Sequence, residues 1–384
     1  MCRVSIAAMS LAVISILFGC GGGGGQSESE IVYPPSSTGV PNIRNYRPMP
    51  YGNPPGASEK AFAAQRGIGR GVNFGNMLEA PWEGYWGVSV TDEFIDKAKE
   101  AGFTSIRLPV KFSNYAATTP PYEIDPVFMQ RVEEVVDKLL AKGFYVVLDM
   151  HHYMDIYGQP EHEGAKSLNN PEAVDVRLIM MWEHISQRFK SKSDRLLYEL
   201  LNEPSSRLNG PDENPGEMWN ILAARTLGAI RKIEPDRVVV IGPVFYNTAE
   251  MLDYLKLPND PHIVVTVHHY GPPDFYLQGA TFVSPVPPIG VSCCDEERKK
   301  VLVESFSIAK RWSDKYKYPI FLGEFGSSIY ADADSRSAYN RVMRDGAERN
   351  GLTWTYWEFA SAFGLYDQEA HAFRPKVMEG LLGD

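Results

Sequence analysis

A chain of 384 residues that is 44% hydrophobic and 22% charged has the make-up of a soluble globular protein, long enough for two average domains or one large barrel. Its 48 acidic against 38 basic residues give a formal net charge of −10 with no lysine or arginine run longer than three residues, so the electrostatic footprint of a nucleic-acid binder is missing. Seven Trp, 20 Tyr and 18 Phe suit a cleft for flat, weakly polar faces such as sugar rings, although a large core uses aromatics equally.

At the N-terminus, Arg3 precedes an uncharged apolar run from Val4 to Phe18 that is short for a bilayer span, the architecture of a signal peptide. The run ends Leu17-Phe18-Gly19-Cys20, which resembles the bacterial lipoprotein cleavage box. That resemblance implies a signal peptide over 1–19, lipid on Cys20, export, and attachment to the cell envelope through the membrane, the outer membrane where one exists. Residues 20–59 are rich first in Gly and Ser, then in Pro, and are expected to be a tether, with a strap over Tyr46 to Pro55 as the alternative. Two of the four cysteines fall in the export segment; Cys293 and Cys294 are adjacent, with no metal-ligand spacing around them, and read as a local loop feature.

From about Gly67 the chain alternates apolar β-branched runs with amphipathic helices. Thr91 can cap a helix carrying Phe94, Ile95 and Ala98 on one face. Asp125 and Pro126 begin another, in which Phe128, Val132, Val135, Val136 and Leu139 keep the helical period until Gly143 stops it. Strands are expected over 67–74, 103–108, 144–150, 196–201, 237–241, 262–267, 319–322 and 352–357, and helices over 171–190, 216–234, 295–315 and 335–350. Eight such units over the body, 60–384, fit an α/β fold, a (β/α)8 TIM barrel preceded by the signal peptide and flexible tether; an open doubly wound sheet is the competitor.

Polar side chains decide between the two. Arg107, Asp149 to His152, Asn202-Glu203, His268 to Tyr270, Glu324 and Trp357 all fall where strands end, and only a closed barrel gathers them on one rim. Glu203 and Glu324 end strands four and seven, roughly opposite each other, where paired carboxyls suit a retaining glycosidase.

These residues resemble glycoside hydrolase family 5. Asn202-Glu203-Pro204 matches its strand-four motif, and Gly323-Glu324-Phe325-Gly326 its strand-seven motif. Arg107-Leu108-Pro109, His151, His268 with Tyr270, and Trp357 fill the other positions. The resemblance implies Glu203 as proton donor and general acid/base, Glu324 as nucleophile, and Arg107, His151, Asn202, His268 and Tyr270 as supporting residues. Asn202 would bond the sugar 2-hydroxyl and Trp357 would lie beneath the ring. It implies an endo-β-glucanase acting on β-1,4-linked or mixed-linkage glucan as a monomer without cofactor or metal. Mannan, xyloglucan and β-1,3-glucan are alternative substrates. Asn76, Glu79, Trp82 and His152 are candidate substrate-binding residues, with Trp86, Tyr153, Trp219, Tyr246, Asn247 and Glu358 also near the mouth and Trp182 and Trp354 in the core. A metal-dependent barrel is a rival because of His151-His152 and His268-His269, but strand one lacks a His-x-His; a non-catalytic surface carbohydrate-binding protein is the other.

Overall fold

The computed structural model describes residues 42–157, 168 and 170–383. The expected signal peptide, Cys20 and the first part of the tether lie outside the described residues. Eight parallel strands close into a barrel in chain order: β1 (Arg70–Asn73), β2 (Ser105–Val110), β3 (Tyr145–Met150), β4 (Leu196–Glu199), β5 (Val239–Ile241), β6 (Ile263–His268), β7 (Ile320–Glu324) and β8 (Thr353–Tyr356). Almost every strand residue is buried, as expected where the barrel interior covers one face and helices the other.

The first helix of the body is one the sequence reading missed. Helix α1 (Glu59–Ile68) begins at Ser58, whose hydroxyl accepts the Ala61 N–H, and runs through residues expected to start strand one. Its face of Ala61, Ala64 and Ile68 packs with Val147, Leu197, Val240, Val264 and Phe321, plugging the floor of the barrel with apolar side chains. Gly67 is close enough to the Tyr145 ring that a Cβ there would overlap it, so the helix end sits directly beneath β3.

The outer helices are α2 (Asp92–Glu100), α3 (Pro126–Ala141), α4 (Pro171–Phe189), α5 (Glu217–Arg231), α6 (Glu296–Tyr316), α7 (Ala333–Arg349) and α8 (Pro375–Leu382). Helix α3 follows its sequence signals: Asp125 accepts the N–H groups of Val127 and Phe128, Pro126 opens the first turn, and Gly143 takes a φ of +83° just beyond the end. After β5 the helix is replaced by a short 3-10 segment, Ala249–Tyr254.

Residues 42–58, expected within the tether with a strap over Tyr46 to Pro55 as the alternative, form a strap on the body that is longer than that alternative at both ends. The Ile43 N–H donates to Glu172 at the start of α4 (3.0 Å), the Met49 N–H to the Ala224 carbonyl on α5 (3.2 Å), and the Ala57 N–H to Lys317 beyond the end of α6 (2.8 Å). Ile43 is buried and Arg225 Nη1 donates to the Ile43 and Tyr46 carbonyls, which gives this proline-rich segment the partners its composition alone does not advertise. Cys293 and Cys294 lie in the loop before α6, where the Cys293 N–H donates to Ser335 Oγ (3.0 Å).

Candidate active site

Arg107, fully buried on β2, organises the C-terminal face of the barrel. Its Nε and one Nη donate to both oxygens of Glu199 on β4 (2.7 and 2.9 Å), a bidentate pairing. The same Nη2 donates to Asn202 Oδ1 (2.8 Å) and stands 3.0 Å from Asp149 Oδ2 on β3. Nη1 donates to Glu324 Oε1 at the end of β7 (2.6 Å) and to Asn73 Oδ1 at the end of β1 (3.0 Å). One guanidinium therefore faces three buried carboxylates, and protons must carry part of the imbalance. Burial pushes Asp149 and Glu324 up to about 7 and Glu199 upward, against the pull of Arg107 on each.

Glu324 has the stronger claim to ionisation: besides Arg107, its Oε2 accepts the Tyr270 hydroxyl (2.9 Å), and His268 Nδ1 lies 3.7 Å away. Glu203 follows β4 in a left-handed backbone conformation, φ 47°, a geometry costing a non-glycine residue roughly 1–2 kcal/mol. Its Oε1 is 2.8 Å from His268 Nδ1, and burial pushes this carboxyl up to about 7 with Glu199 adding to the rise. The sequence reading asks for one protonated and one ionised glutamate; burial lifts both, and the hydrogen-bond donors on Glu324 separate them. An oxygen of Glu203 and an oxygen of Glu324 lie within 4.8 Å of each other, with His268 inside the same span.

Two histidines brace this pair. His151 Nδ1 is 2.7 Å from Asp149 Oδ2, its Nε2 is 3.5 Å from Asn202 Nδ2, and its ring stacks on Trp357 at 5.6 Å and 10°. His268 is re-aimed by a register shift between Val267 and His268 on β6. Burial holds both imidazoles neutral, His268 at about 4 and His151 well below the ordinary range. Trp357 in turn lies against Gly75, where a Cβ would come within 2.7 Å of the indole.

The eight residues expected at the site's centre, Arg107, His151, Asn202, Glu203, His268, Tyr270, Glu324 and Trp357, are thus joined in one chain of contacts. The outer candidates divide. Glu79 is 1% exposed and accepts the N–H groups of Asn76 and Met77, so its carboxylate shapes the loop after β1 and is not free to hold a sugar. Glu358 is likewise committed to the N–H groups of Ala360, Ser361 and Phe363. Trp82 is 59% exposed and packs edge-on with Tyr85. His152 meets the His151 ring edge-on at 4.0 Å. Tyr153 and Trp219 are buried and bonded to the Val174 and Gly242 carbonyls, as core residues; Trp182 and Trp354 are core as expected. Asp149 stands among the strand-end polar residues of the sequence, but its bonds to Arg107 and His151 have no signal there; Glu199 and Asn73 are new to the site. An acidic residue inside the otherwise apolar strand Leu196-Leu197-Tyr198-Glu199-Leu200-Leu201 was the available signal.

The paired histidines do not converge as metal ligands: the His269 ring packs against Phe306 on α6 while His268 faces Glu203. Glu203, His268 and Glu324 come close enough together to hold a cation, yet Glu324 already has a guanidinium against it, which opposes a second positive charge.

Strand-end glutamates paired across a closed β/α barrel are the arrangement of barrel glycosidases, and fold and site assign the chain to that class. The cellulase family, glycosyl hydrolase family 5, matches residues 67–362, and the chain belongs to it. Among relatives, Endoglucanase H of Acetivibrio thermocellus is 34% identical over 338 residues, 85% of this chain but 34% of that protein, so the chain spans about a third of that relative's length. The crystal structure of a hyperthermophilic endo-beta-1,4-glucanase in complex with substrate superposes with a TM-score of 0.78 at 36% identity, covering 84% of this chain and 99% of that one. Thermotoga maritima Cel5A in complex with mannotriose gives 0.76 at 34%, covering 84% and 100%.

Proposed function

We propose that this chain is a retaining endo-β-1,4-glucanase that cleaves soluble or amorphous β-glucan by double displacement. The observation that carries the reading is the approach of Glu203 and Glu324 within 4.8 Å. A water-mediated, inverting displacement needs roughly 6.5–9.5 Å between the two carboxyls, whereas direct attack by one of them needs about 5–5.5 Å. Glu324, held by Arg107 and the Tyr270 hydroxyl, attacks the anomeric carbon. Glu203, kept protonated by burial and by Glu199, gives its proton to the leaving oxygen and then takes one from the incoming water. Arg107 occupies Asn202 Oδ1, which leaves the amide Nδ2 to donate to the 2-hydroxyl as the ring flattens. Trp357, braced by Gly75 and stacked on His151, supplies the platform.

The test follows the first product by proton NMR: a β-linked glucan should release the β-anomer, and an initial α-anomer would sink the reading. β-1,4-Glucan and mixed-linkage glucan should be cleaved fastest in a panel with laminarin, xyloglucan and mannan; mannan is the second candidate because a relative at 34% identity holds mannotriose. No turnover on any of them would favour a non-catalytic carbohydrate-binding protein. The Leu17-Phe18-Gly19-Cys20 junction supports export and a lipid anchor at the cell envelope. Cys20→Ala should release the protein to the soluble fraction or leave it unprocessed, and unchanged membrane partition would end that proposal.

A further inference from the structure

The turn that follows β5 makes a contact with His268 that the reaction as derived above leaves unused. Three consecutive non-glycine residues, Phe245, Tyr246 and Asn247, hold φ values of 53°, 62° and 58°. Such a run persists only where surrounding contacts outweigh its strain. Here the Phe245 N–H donates to Asn209 Oδ1 (3.2 Å) and the Tyr246 N–H to the carbonyl of Pro204 (3.4 Å), the residue after Glu203. The turn thereby drives the Asn247 side chain inward until it is fully buried. Gly242 makes room for it, since a Cβ at that position would overlap the Asn247 amide oxygen. Asn247 Nδ2 then lies 3.3 Å from His268 Nε2, on the opposite side of the ring from Glu203.

An amide nitrogen can only donate, so a ring nitrogen facing it must accept. His268 is neutral in this setting, where Glu203, Glu324, Arg107, Glu199 and His151 surround it and burial outweighs their combined effect. Its single proton is therefore on Nδ1, 2.8 Å from Glu203 Oε1. We propose that Asn247 is a positioning residue for the general acid: by donating to His268 Nε2 it fixes the ring proton on Nδ1, which makes Glu203 Oε1 an acceptor and leaves the proton of the carboxyl on Oε2. This inference rests on Glu203 being the acid, and it adds which oxygen delivers the proton. An acceptor in place of the amide would draw the ring proton to Nε2. The bare Nδ1 would then accept from the Glu203 O–H through Oε1, and the proton would be turned away from the glycosidic oxygen. If the ring instead took a second proton, its charge would strip Glu203 of its own.

The test pairs a spectroscopic and a kinetic readout on the full chain. Nitrogen NMR of histidine-labelled protein near neutral pH should show His268 as the Nδ1–H tautomer, moving to Nε2–H or to the doubly protonated ring in Asn247→Asp, an almost isosteric change that tolerates the left-handed backbone. Asn247→Asp should lose about 10²-fold in kcat/KM on β-glucan, within the range of general-acid contributions, yet about threefold or less on an aryl cellobioside whose leaving group needs no proton. Asn247→Gly, which suits the φ of 58° and removes the amide without inserting an acceptor, is the second variant and should show the same selectivity with a smaller loss. A wild-type His268 carrying its proton on Nε2, or equal losses on the two substrates, would overturn the proposal. If Glu203→Ala is not itself spared on the activated substrate, the acid assignment has failed instead, and the tautomer measurement does not depend on that outcome.

Discussion

Glu203 and Glu324 are near enough that the charge on one sets the proton affinity of the other, so neutralising Glu324 should acidify Glu203. With 4.8 Å as the upper bound on the separation of their nearest oxygens and an effective dielectric of about 20, two unit charges interact by roughly 3.5 kcal/mol, or about 2.5 pKa units at 1.36 kcal/mol each. Glu203 contributes to the upward push on Glu324, and such a coupling is reciprocal. Glu324→Gln keeps the shape and removes the charge, and it also leaves Arg107 less neutralised, which acts in the same direction. The Glu203 carboxyl, at about 7 in the intact pair, should therefore titrate 1 to 2.5 units lower, by the same estimate, when its carbon-13 signal is followed against pH. Trapping the intact enzyme with a 2-fluoro glycoside, which esterifies Glu324, should lower it similarly. In that state the residue that had been an acid becomes a base suited to deprotonating water. A Glu203 signal whose midpoint stays put, or rises, in both forms would refute the coupling and with it the explanation of how one carboxyl serves both steps.

Three further outcomes follow from the same geometry. Glu203→Ala should keep measurable turnover on an activated aryl glycoside and be accelerated by azide to a β-glycosyl azide, whereas Glu324→Ala should lose about 10⁴-fold or more on every substrate; reversed behaviour would exchange the two roles. Arg107→Met strips the shared partner from three buried carboxylates and should cost about 3–5 kcal/mol in urea denaturation, so a loss under about 1 kcal/mol would contradict its place as hub. Gly75→Ala pushes a methyl into the Trp357 indole and should raise KM with little change in melting temperature; an unaltered KM would mean that the indole does not carry the sugar.

The barrel and the centre of its site were legible because their signals are local. Asp125-Pro126 and Gly143 mark α3 by backbone chemistry, and strand-end polar residues stand out against apolar runs. What escaped depended on distant partners. Helix α1 hid behind Gly67-Ile68-Gly69, which looks like the start of a strand until Ala61, Ala64 and Ile68 are seen to close the barrel floor. The strap over 42–58 has the composition of a spacer, and only its hydrogen bonds to Glu172, Ala224 and Lys317 distinguish it from one. Glu79 was misjudged because a carboxylate consumed by its own loop looks, in sequence, like one offered to a ligand. Asn247 drew notice only as a residue near the mouth. Its contact with His268 arises from a left-handed turn that no residue type in Phe245-Tyr246-Asn247 demands.

The strap also determines how the barrel responds to being pulled. Ile43 joins the body at the start of α4, beside the catalytic face, while Ala57 and Ser58 are fastened at the opposite end, next to the floor helix. Tension arriving from the N-terminal side is therefore taken first by the contacts at Ile43, Tyr46 and Met49, then by those at Gly52 and Ala57, in series along the side wall. Contacts arranged this way peel one at a time at low force, and none of these backbone links belongs to the strands that hold Glu203 and Glu324. At about 3.3 Å for each extended residue, the strap releases roughly 5 nm of slack before any load reaches the strands that hold Glu203 and Glu324.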